Sequence, residues 1–215
     1  HIISVEDPIE FVHQHKKSVI TQREVGIDTL SYSEALKNSM RQAPDVIIIG
    51  EIRDTETMES AITFAETGHL CLGTLHANNA NQSIERIINF FPSERHDQIY
   101  LLLSLNLHAI ISQRLVPAKD GKRIAAFEII LDTPRVKDLI MKKEIGLLRS
   151  TIASGEQEGM MTFDQSLFNF YKEGRISYEN AFAYADSAND LRLRIKTEVL
   201  DEVKGDKAVG FKLKL

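Results

Sequence analysis

The stretch that decides the fold class is Val46-Ile47-Ile48-Ile49-Gly50-Glu51. Four β-branched residues follow one another, and an acid comes directly after the glycine. A continuous apolar run of this length is typical of a strand that is buried on both faces of a mostly parallel sheet. We therefore predict a strand over Val46–Ile49, with Glu51 just beyond its carboxyl end.

The segments on either side extend this strand into an α/β pattern. Asp54 can cap a helix that Gly68 ends, and Leu70–Leu75 predicts another central strand. On the amino-terminal side, Ser31-Tyr32-Ser33-Glu34 fits the capping box of a helix. Strands that alternate with helices indicate a parallel α/β sheet. Two short strands are predicted ahead of that helix, at Ile2–Val5 and Ser18–Thr21.

From residue 80 onward the pattern becomes mainly helical. Two apolar stripes predict a pair of helices that pack on a shared core. The stripes are Ile84, Ile87, Ile88 and Phe91, and then Leu103, Leu107, Ile110 and Ile111. A β-hairpin is predicted between Gln113 and Leu131, with its turn at Asp120-Gly121. Three later helices are predicted from their caps at Thr133, Thr162 and Ser177.

Composition and charge exclude several classes of protein. The 215 residues are 43% hydrophobic and carry a net charge of −5, so no basic field invites nucleic acid or an anionic membrane. Cys71, the single cysteine, can form neither an internal disulfide nor a multi-thiolate zinc site. No apolar run approaches the length of a membrane span. The sequence opens on a strand without Met, and we expect a further part upstream of His1.

Glu51 is the first candidate for chemistry. An acid at the carboxyl edge of a parallel sheet lies where such sheets bind ligands. There it can hold the water shell of Mg²⁺ or polarise an attacking water. The alternative interpretation is a solvated strand end without function.

A second candidate is the acidic cluster Glu6-Asp7-Pro8-Ile9-Glu10, which follows the opening strand. Pro8 disfavours a helical conformation of Asp7, so the carboxylates are presented from a loop. Three carboxylates in five residues repel one another unless a cation or a hydrogen-bond donor lies between them. An ordinary acidic loop is the alternative interpretation.

Two histidines bracket the strand after Gly68. His76 follows the strand and should lie beside Glu51, whereas His69 precedes it, where a structural role or a subunit contact is the simpler expectation. The two histidines are too far apart along a strand to share a metal ion, and no H-E-x-x-H pattern occurs. A zinc hydrolase is therefore a weak third alternative. We expect Glu10, Glu51 and His76 to converge at one edge of the sheet.

Taken together, these motifs resemble the secretion-type ATPases. The cluster from Glu6 to Glu10 resembles their aspartate box, Gly50–Thr57 their Walker B segment, and Thr67–His76 their histidine box, in the family's order and spacing. The resemblance implies a partial RecA-like P-loop ATPase core over 1–132, without the Walker A strand and helix. It also implies a mainly helical C-terminal subdomain over 133–195, followed by a loosely ordered tail over 196–215.

The resemblance also assigns roles to individual residues. Glu10 and Glu51 match the acids of catalysis, with Glu6 beside them, and Glu51 would also hold Mg²⁺ through water. His76 matches the histidine at the nucleotide. Two weaker assignments to nucleotide binding are His69, as the partner of His76, and Arg53, as a ligand of a phosphate or of a neighbouring subunit. ATP and Mg²⁺ are the cofactors that the family implies.

Two features favour the PilT/PilU family of type IV pilus retraction ATPases. The four-cysteine zinc motif that is common in pilus-extension and secretion ATPases is absent, since Cys71 is the only cysteine. Leu72–Asn81 and Ala185–Leu193 resemble the PilU branch. The A-I-R-N-L-I-R stretch of the retraction motors is replaced by Pro134–Ile140, which puts that motif's role here in doubt and is more consistent with PilU than with PilT.

This family implies a hexameric ATP-hydrolysing motor for pilus retraction and twitching motility, in the cytoplasm at the inner-membrane face. Its partners would be the platform protein of the pilus base and a paralogous retraction ATPase. The family does not imply binding to nucleic acid. No G-x-x-x-x-G-K-S/T occurs in the 215 residues, so we predict that this chain alone is inactive. Two alternatives stay open: a non-catalytic module that docks on a partner motor, and a pilus-extension or type II secretion ATPase.

Overall fold

Four parallel strands form one sheet in the computed structural model, which describes residues 1–197. They are β1 (Ile2–Glu6), β2 (Ile20–Glu24), β3 (Val46–Ile49) and β4 (Leu70–Gly73). Their order across the sheet is β2-β1-β3-β4. Val5 pairs with Ile49, and Ile49 pairs with Gly73, so the carboxyl ends of β1, β3 and β4 lie side by side. The predicted α/β class with a parallel sheet is confirmed.

Two helices connect these strands and cover the sheet. Ser31 caps α1 (Tyr32–Ser39), and Asp54 caps α2 (Thr55–Glu66), each accepting a hydrogen bond from a backbone N–H in the first turn. The helix α1 packs against β1, α2 packs against β4, and the two helices contact each other. The core beneath them consists of fully buried side chains, among them Ile3, Val5, Leu36, Ile47, Ile49 and Phe64.

The apolar run of β4 predicted a central strand. Among the described strands it lies at the edge of the sheet, and Leu70 and Leu72 are 50% and 48% exposed. The burial of a strand depends on neighbours that come from distant parts of the chain. The central place of β4 in the whole protein therefore stays a prediction.

Two further helices follow β4. The helix α3 (Ala80–Asn89) buries the predicted stripe of Ile84, Ile87 and Ile88. The helix α4 (His96–Asn106) is shorter than predicted, because Leu107 is extended (ψ 118°). Ile110 and Ile111 belong to the next strand instead, where β-branched side chains are favoured.

The described chain divides into two units. The first comprises His1–His108 and Asp132–Leu148, and the second comprises Ala109–Leu131 and the described residues from Arg149 onward. The first unit also contains α5 (Pro134–Met141), which packs on α4. In the second lie β5 (Ala109–Pro117), β6 (Arg123–Leu131), α6 (Leu148–Ser154, apart from its first residue), α7 (Phe163–Lys172) and α8 (Tyr178–Ala183).

This division differs from the boundary predicted after residue 132. The reason is that the hairpin shares its core with the later helices: Val116 and Ala126 are buried in one cluster with Phe163 and Leu167. Residues 188–197 add a further helical stretch. The predicted loosely ordered tail, 196–215, lies outside the described residues except for its first two. No helix within residues 1–197 is both long and apolar enough to cross a bilayer.

Candidate functional site

Three segments meet where β1, β3 and β4 end. The Gly50 N–H donates to the Val5 carbonyl (2.8 Å), and the Ile52 N–H donates to the Thr74 carbonyl (2.9 Å). The Thr74 hydroxyl also donates to the Gly50 carbonyl. These bonds join the segments that carry the aspartate-box, Walker B and histidine-box residues. The side chains after each strand are therefore brought to one edge of the sheet.

Glu51 lies at the centre of this edge. Its Oε1 is 2.9 Å from Nε2 of His76. Its Oε2 accepts a hydrogen bond from Nε of Arg53 (2.6 Å) and lies 2.5 Å from Nη2 of the same guanidinium. The Glu51 side chain is 14% exposed, whereas that of His76 is 78% exposed. The predicted meeting of Glu51 and His76 is therefore present in the structure.

Asp7 joins the cluster although the prediction of site residues omitted it. Its Oδ2 lies 3.6 Å from Nη1 of Arg53. The register of the sheet explains the position of Asp7. Val5 pairs with Ile49 in the parallel strands β1 and β3. Asp7 lies two residues after Val5, and Glu51 lies two residues after Ile49, so the two acids follow neighbouring strand ends. Counting from the two predicted strand ends was the signal that could have identified it.

Tyr32 is the other residue that the sequence did not indicate. Its hydroxyl lies 3.1 Å from the position of a β-carbon built on Gly50, the residue before Glu51. Burial, and next the charge of nearby Asp7, raise the pKa of the Tyr32 hydroxyl. Tyr32 is brought to the site by the first turn of α1, and no local sequence pattern predicts that approach.

The two other predicted acids have different surroundings. Glu6 ends β1, and its Oε1 accepts from the Ser4 hydroxyl (2.6 Å) and the Gln22 amide (2.9 Å), on β1 and β2. Glu10 is exposed in the loop between β1 and β2. Within residues 1–197 the structure gives Glu10 no hydrogen bond or ion pair to Glu51 or His76, so the convergence of Glu10 with the other two stays a prediction.

His69 lies at the opposite end of β4. It precedes Leu70, and its Nδ1 is 3.0 Å from the Thr67 hydroxyl. Its ring meets that of Phe64 edge-to-face, with the centroids 5.7 Å apart. These contacts are those of a residue that packs the end of α2, and the structure does not bring His69 to the Glu51 cluster.

A cleft of about 420 Å³ opens beside His76. Apart from His76 and Ala77, its lining comes from one face of α3 and from Phe90, which follows the helix. The guanidinium of Arg86 lies 6.0 Å from the centroid of the Phe90 ring. His76 therefore belongs both to the Glu51 cluster and to a cleft that is wide enough for part of a small ligand. The lining residues are His76, Ala77, Gln82, Glu85, Arg86, Asn89 and Phe90.

Comparison with known proteins identifies the family. The family model described as "Type II/IV secretion system protein" matches residues 1–162. The chain belongs to that family. It is 60% identical over 197 residues to the type IV pilus ATPase PilU of Pseudomonas aeruginosa, and 45% identical over 181 residues to the type IV pilus retraction ATPase PilT of the same organism. These matches cover 91% and 84% of the chain.

A solved structure supports the same assignment. The crystal structure of the pilus retraction motor PilT with bound ADP matches with a TM-score of 0.82 and 42% identity, over 89% of this chain and 54% of that one. The chain spans about half the length of these relatives: 52% of PilU and 53% of PilT. The resemblance to the PilT/PilU family is thus confirmed, and the identity to PilU is the higher of the two.

The residues at the edge of the sheet are compatible with Mg²⁺ held through water. Within residues 1–197 no group of three or more His, Cys, Asp or Glu side chains could hold a metal directly. Mg²⁺ commonly keeps several of its waters and uses one or two carboxylates. Glu51 supplies one partly buried carboxylate of this kind, and Asp7 supplies another close by, so the donor set fits an outer-shell role.

Proposed function

We propose that the full-length protein containing this sequence is an ATPase motor that works as a hexameric ring and drives retraction of a type IV pilus and hence twitching motility. The observation that carries the proposal is the 2.9 Å contact between His76 and Glu51. It unites the Walker B and histidine-box residues at the ligand-binding edge of the sheet. The similarity to PilU and PilT supports the pilus as the object of the work.

The chain's own residues would act on the water that attacks the nucleotide. Bound Mg·ATP supplies the electrophilic γ-phosphoryl group. Glu51 would orient the attacking water and hold a water of the Mg²⁺ shell, while His76, exposed toward the cleft, would report the γ-phosphate. Glu6 and Glu10 remain candidate acids, because the loop that carries Glu10 follows directly on Asp7. Arg53 remains a weaker candidate for a nucleotide contact, whereas His69, at the opposite end of β4, is assigned a structural role or a subunit contact instead.

The partners and location of the motor follow from the same proposal. The motor would bind the platform protein of the pilus base and a paralogous retraction ATPase, at the cytoplasmic face of the inner membrane. A pilus-extension or type II secretion ATPase is disfavoured by the single cysteine, Cys71. If the protein drives retraction, deletion of its gene should leave surface pili in place and abolish twitching, whereas loss of the pili would indicate an extension motor.

A second candidate function has one specific observation in its favour. Both oxygens of Glu51 are engaged, Oε1 by His76 and Oε2 by Arg53. A carboxylate that stays in this arrangement is inert, as in a non-catalytic module that docks on a partner motor. The two functions differ in whether Glu51 is needed for hydrolysis.

Replacing Glu51 by Gln in the full-length protein tests the proposal. We expect ATP hydrolysis to fall by about 100-fold or more, because the neutral amide cannot orient the attacking water and hold the Mg²⁺ shell as a carboxylate does, while binding of a fluorescent ATP analogue is retained. Glu66→Gln, which changes an exposed acid at the end of α2, should leave hydrolysis unchanged. The 215-residue chain by itself serves as the blank, since it has no phosphate-binding loop. Undiminished hydrolysis by Glu51→Gln would favour the non-catalytic module.

A further inference from the structure

Arg53 is oriented toward carboxylates. Two of its nitrogens reach Oε2 of Glu51, and the third lies 3.6 Å from Oδ2 of Asp7. Its hydrogen bond and its proximity to Glu51 raise the pKa of the guanidinium, which stays charged. One positive charge between two negative charges leaves a net charge of −1. A triphosphate is not attracted to such a group.

The two contacts of Arg53 connect different segments of the site. Glu51 and Arg53 follow β3, and residues i and i+2 of an extended segment point to the same side. Asp7 follows β1, which pairs with β3. Arg53 therefore crosses from the segment after β3 to the segment after β1. We name the pair Asp7 and Arg53 the loop brace.

The partial burial of Glu51 makes the orientation of its carboxylate depend on the loop brace. Its carboxylate is the least exposed member of the cluster, at 14%, whereas Arg53 is 56% and Asp7 is 42% exposed. A buried carboxylate needs partners to hold its charge and its orientation. With Oε2 held by the guanidinium, Oε1 is the oxygen that faces His76.

We propose that Asp7 and Arg53 are positioning residues, and that the loop brace fixes the rotamer of Glu51 so that Oε1 is presented to His76 and the attacking water. The inference rests on the proposed ATPase function. It replaces the expectation that Arg53 is a ligand of phosphate or of a neighbouring subunit.

A double-mutant cycle in the full-length protein tests the brace. Asp7→Asn and Arg53→Met should each lower kcat about tenfold, as loss of an orienting partner commonly does, with KM for ATP within about twofold of the unmutated value. The double variant should lose no more than the worse single variant, because both act through Glu51. A fall of about 100-fold in the double variant, or a KM raised tenfold in Arg53→Met with kcat retained, would overturn the proposal.

The substitution Arg53→Lys tests whether the charge of Arg53 or the planar shape of its guanidinium orients Glu51. A lysine keeps the positive charge but has no planar fork to reach the two acceptor oxygens, Oε2 of Glu51 and Oδ2 of Asp7, at once. We expect it to lose as much kcat as Arg53→Met, whereas activity restored by Lys would show that a point charge suffices and would refute the brace. Retained binding of the fluorescent ATP analogue shows that each variant is folded.

The matched control is the pair Glu173 and Arg175 in the second unit. They form an ion pair of 3.3 Å with 56% and 53% exposure, close to the exposures in the brace. Glu173→Gln, Arg175→Met and their combination should leave kcat unchanged. Glu51→Gln distinguishes the two levels of failure: if it abolishes hydrolysis while the brace variants do not change kcat, the proposed function stands and the brace is wrong. If Glu51→Gln hydrolyses ATP normally, the proposed function itself fails.

Discussion

At the scale of single residues, the site depends on how closely two backbones approach each other at Gly50. A β-carbon built on Gly50 lies 3.0 Å from the Val5 carbonyl oxygen, 3.1 Å from Cα of Glu6 and 3.1 Å from the Tyr32 hydroxyl. Two of these three atoms belong to the backbone of β1 and cannot rotate away. The absence of a side chain at Gly50 therefore allows the segment that carries Glu51 to lie against the segment that carries Asp7.

Replacing Gly50 by Ala should destabilise the protein by about 1–3 kcal/mol, the usual cost of inserting a methyl group into a packed site. The measurement is the free energy of unfolding in urea, together with kcat. Gly146→Ala is the matched control, because nothing lies within 4 Å of its β-carbon position, and it should be neutral or slightly stabilising. Equal effects of the two substitutions would contradict the close approach at Gly50.

At the scale of elements, β4 shows how the sheet changes the chemistry of a side chain. Cys71 lies between the exposed Leu70 and Leu72, but its own side chain points to the other face of the sheet. Burial there raises the pKa of the thiol to about 11. The folded state thus holds the thiol proton more tightly than the unfolded chain. The contribution of Cys71 to stability is full below pH 9 and is lost as the pH rises from 9 to 11.

Alkylation of Cys71 tests this environment. Only the thiolate reacts, so at pH 8 iodoacetamide should modify the folded full-length protein at Cys71 about 100-fold more slowly than the same protein in guanidinium chloride. Mass spectrometry of the peptide that contains Cys71 gives the rate. Equal rates in the two states would mean that the β4 thiol is neither buried nor perturbed.

Elements governed by local chemistry were predictable from the sequence. Ser31, Asp54, Thr133, Thr162 and Ser177 cap helices as expected, because a cap acts on backbone groups three residues away. The end of α4 was mispredicted, because chain reversals are set by distant residues.

The same distinction applies to the site. Glu51 and His76 meet because both follow neighbouring parallel strands, and strand ends can be counted from the sequence. The place of Glu10 depends on the path of the irregular loop between β1 and β2, which no periodicity describes. Tyr32 reaches Glu51 only through the packing of α1 against β1, so its contact is a tertiary property.

At the scale of the whole molecule, the described chain has two separate cores. One consists of the parallel sheet and its helices, with Ile47 fully buried. The other consists of the hairpin and the later helices, with Phe163 fully buried and the Arg114 guanidinium 3.9 Å from its ring centroid. The hairpin belongs to the second core, although the sequence placed it with the ATPase core.

Hydrogen exchange in paired core variants tests this division. Phe163→Leu should cost about 1–3 kcal/mol and raise exchange at 109–131 and 149–195 more than in β1 to β4. Ile47→Val should lower the free energy of unfolding by about 0.5–1.5 kcal/mol. It should raise exchange in β1 to β4 more than at 109–131 and 149–195. Loss of protection in the hairpin with Ile47→Val, and not with Phe163→Leu, would restore the boundary at residue 132.

The uncovered side of β4 has a practical consequence for anyone who works with this chain in isolation. Unsatisfied N–H and C=O groups beside Leu70 and Leu72 form a template onto which a strand of another molecule can add. Self-association of the isolated chain would then grow with concentration and could be mistaken for ring assembly. Leu72→Lys would oppose this strand addition, because a charged side chain disfavours pairing at an open edge. It would leave Glu51 and His76 unchanged.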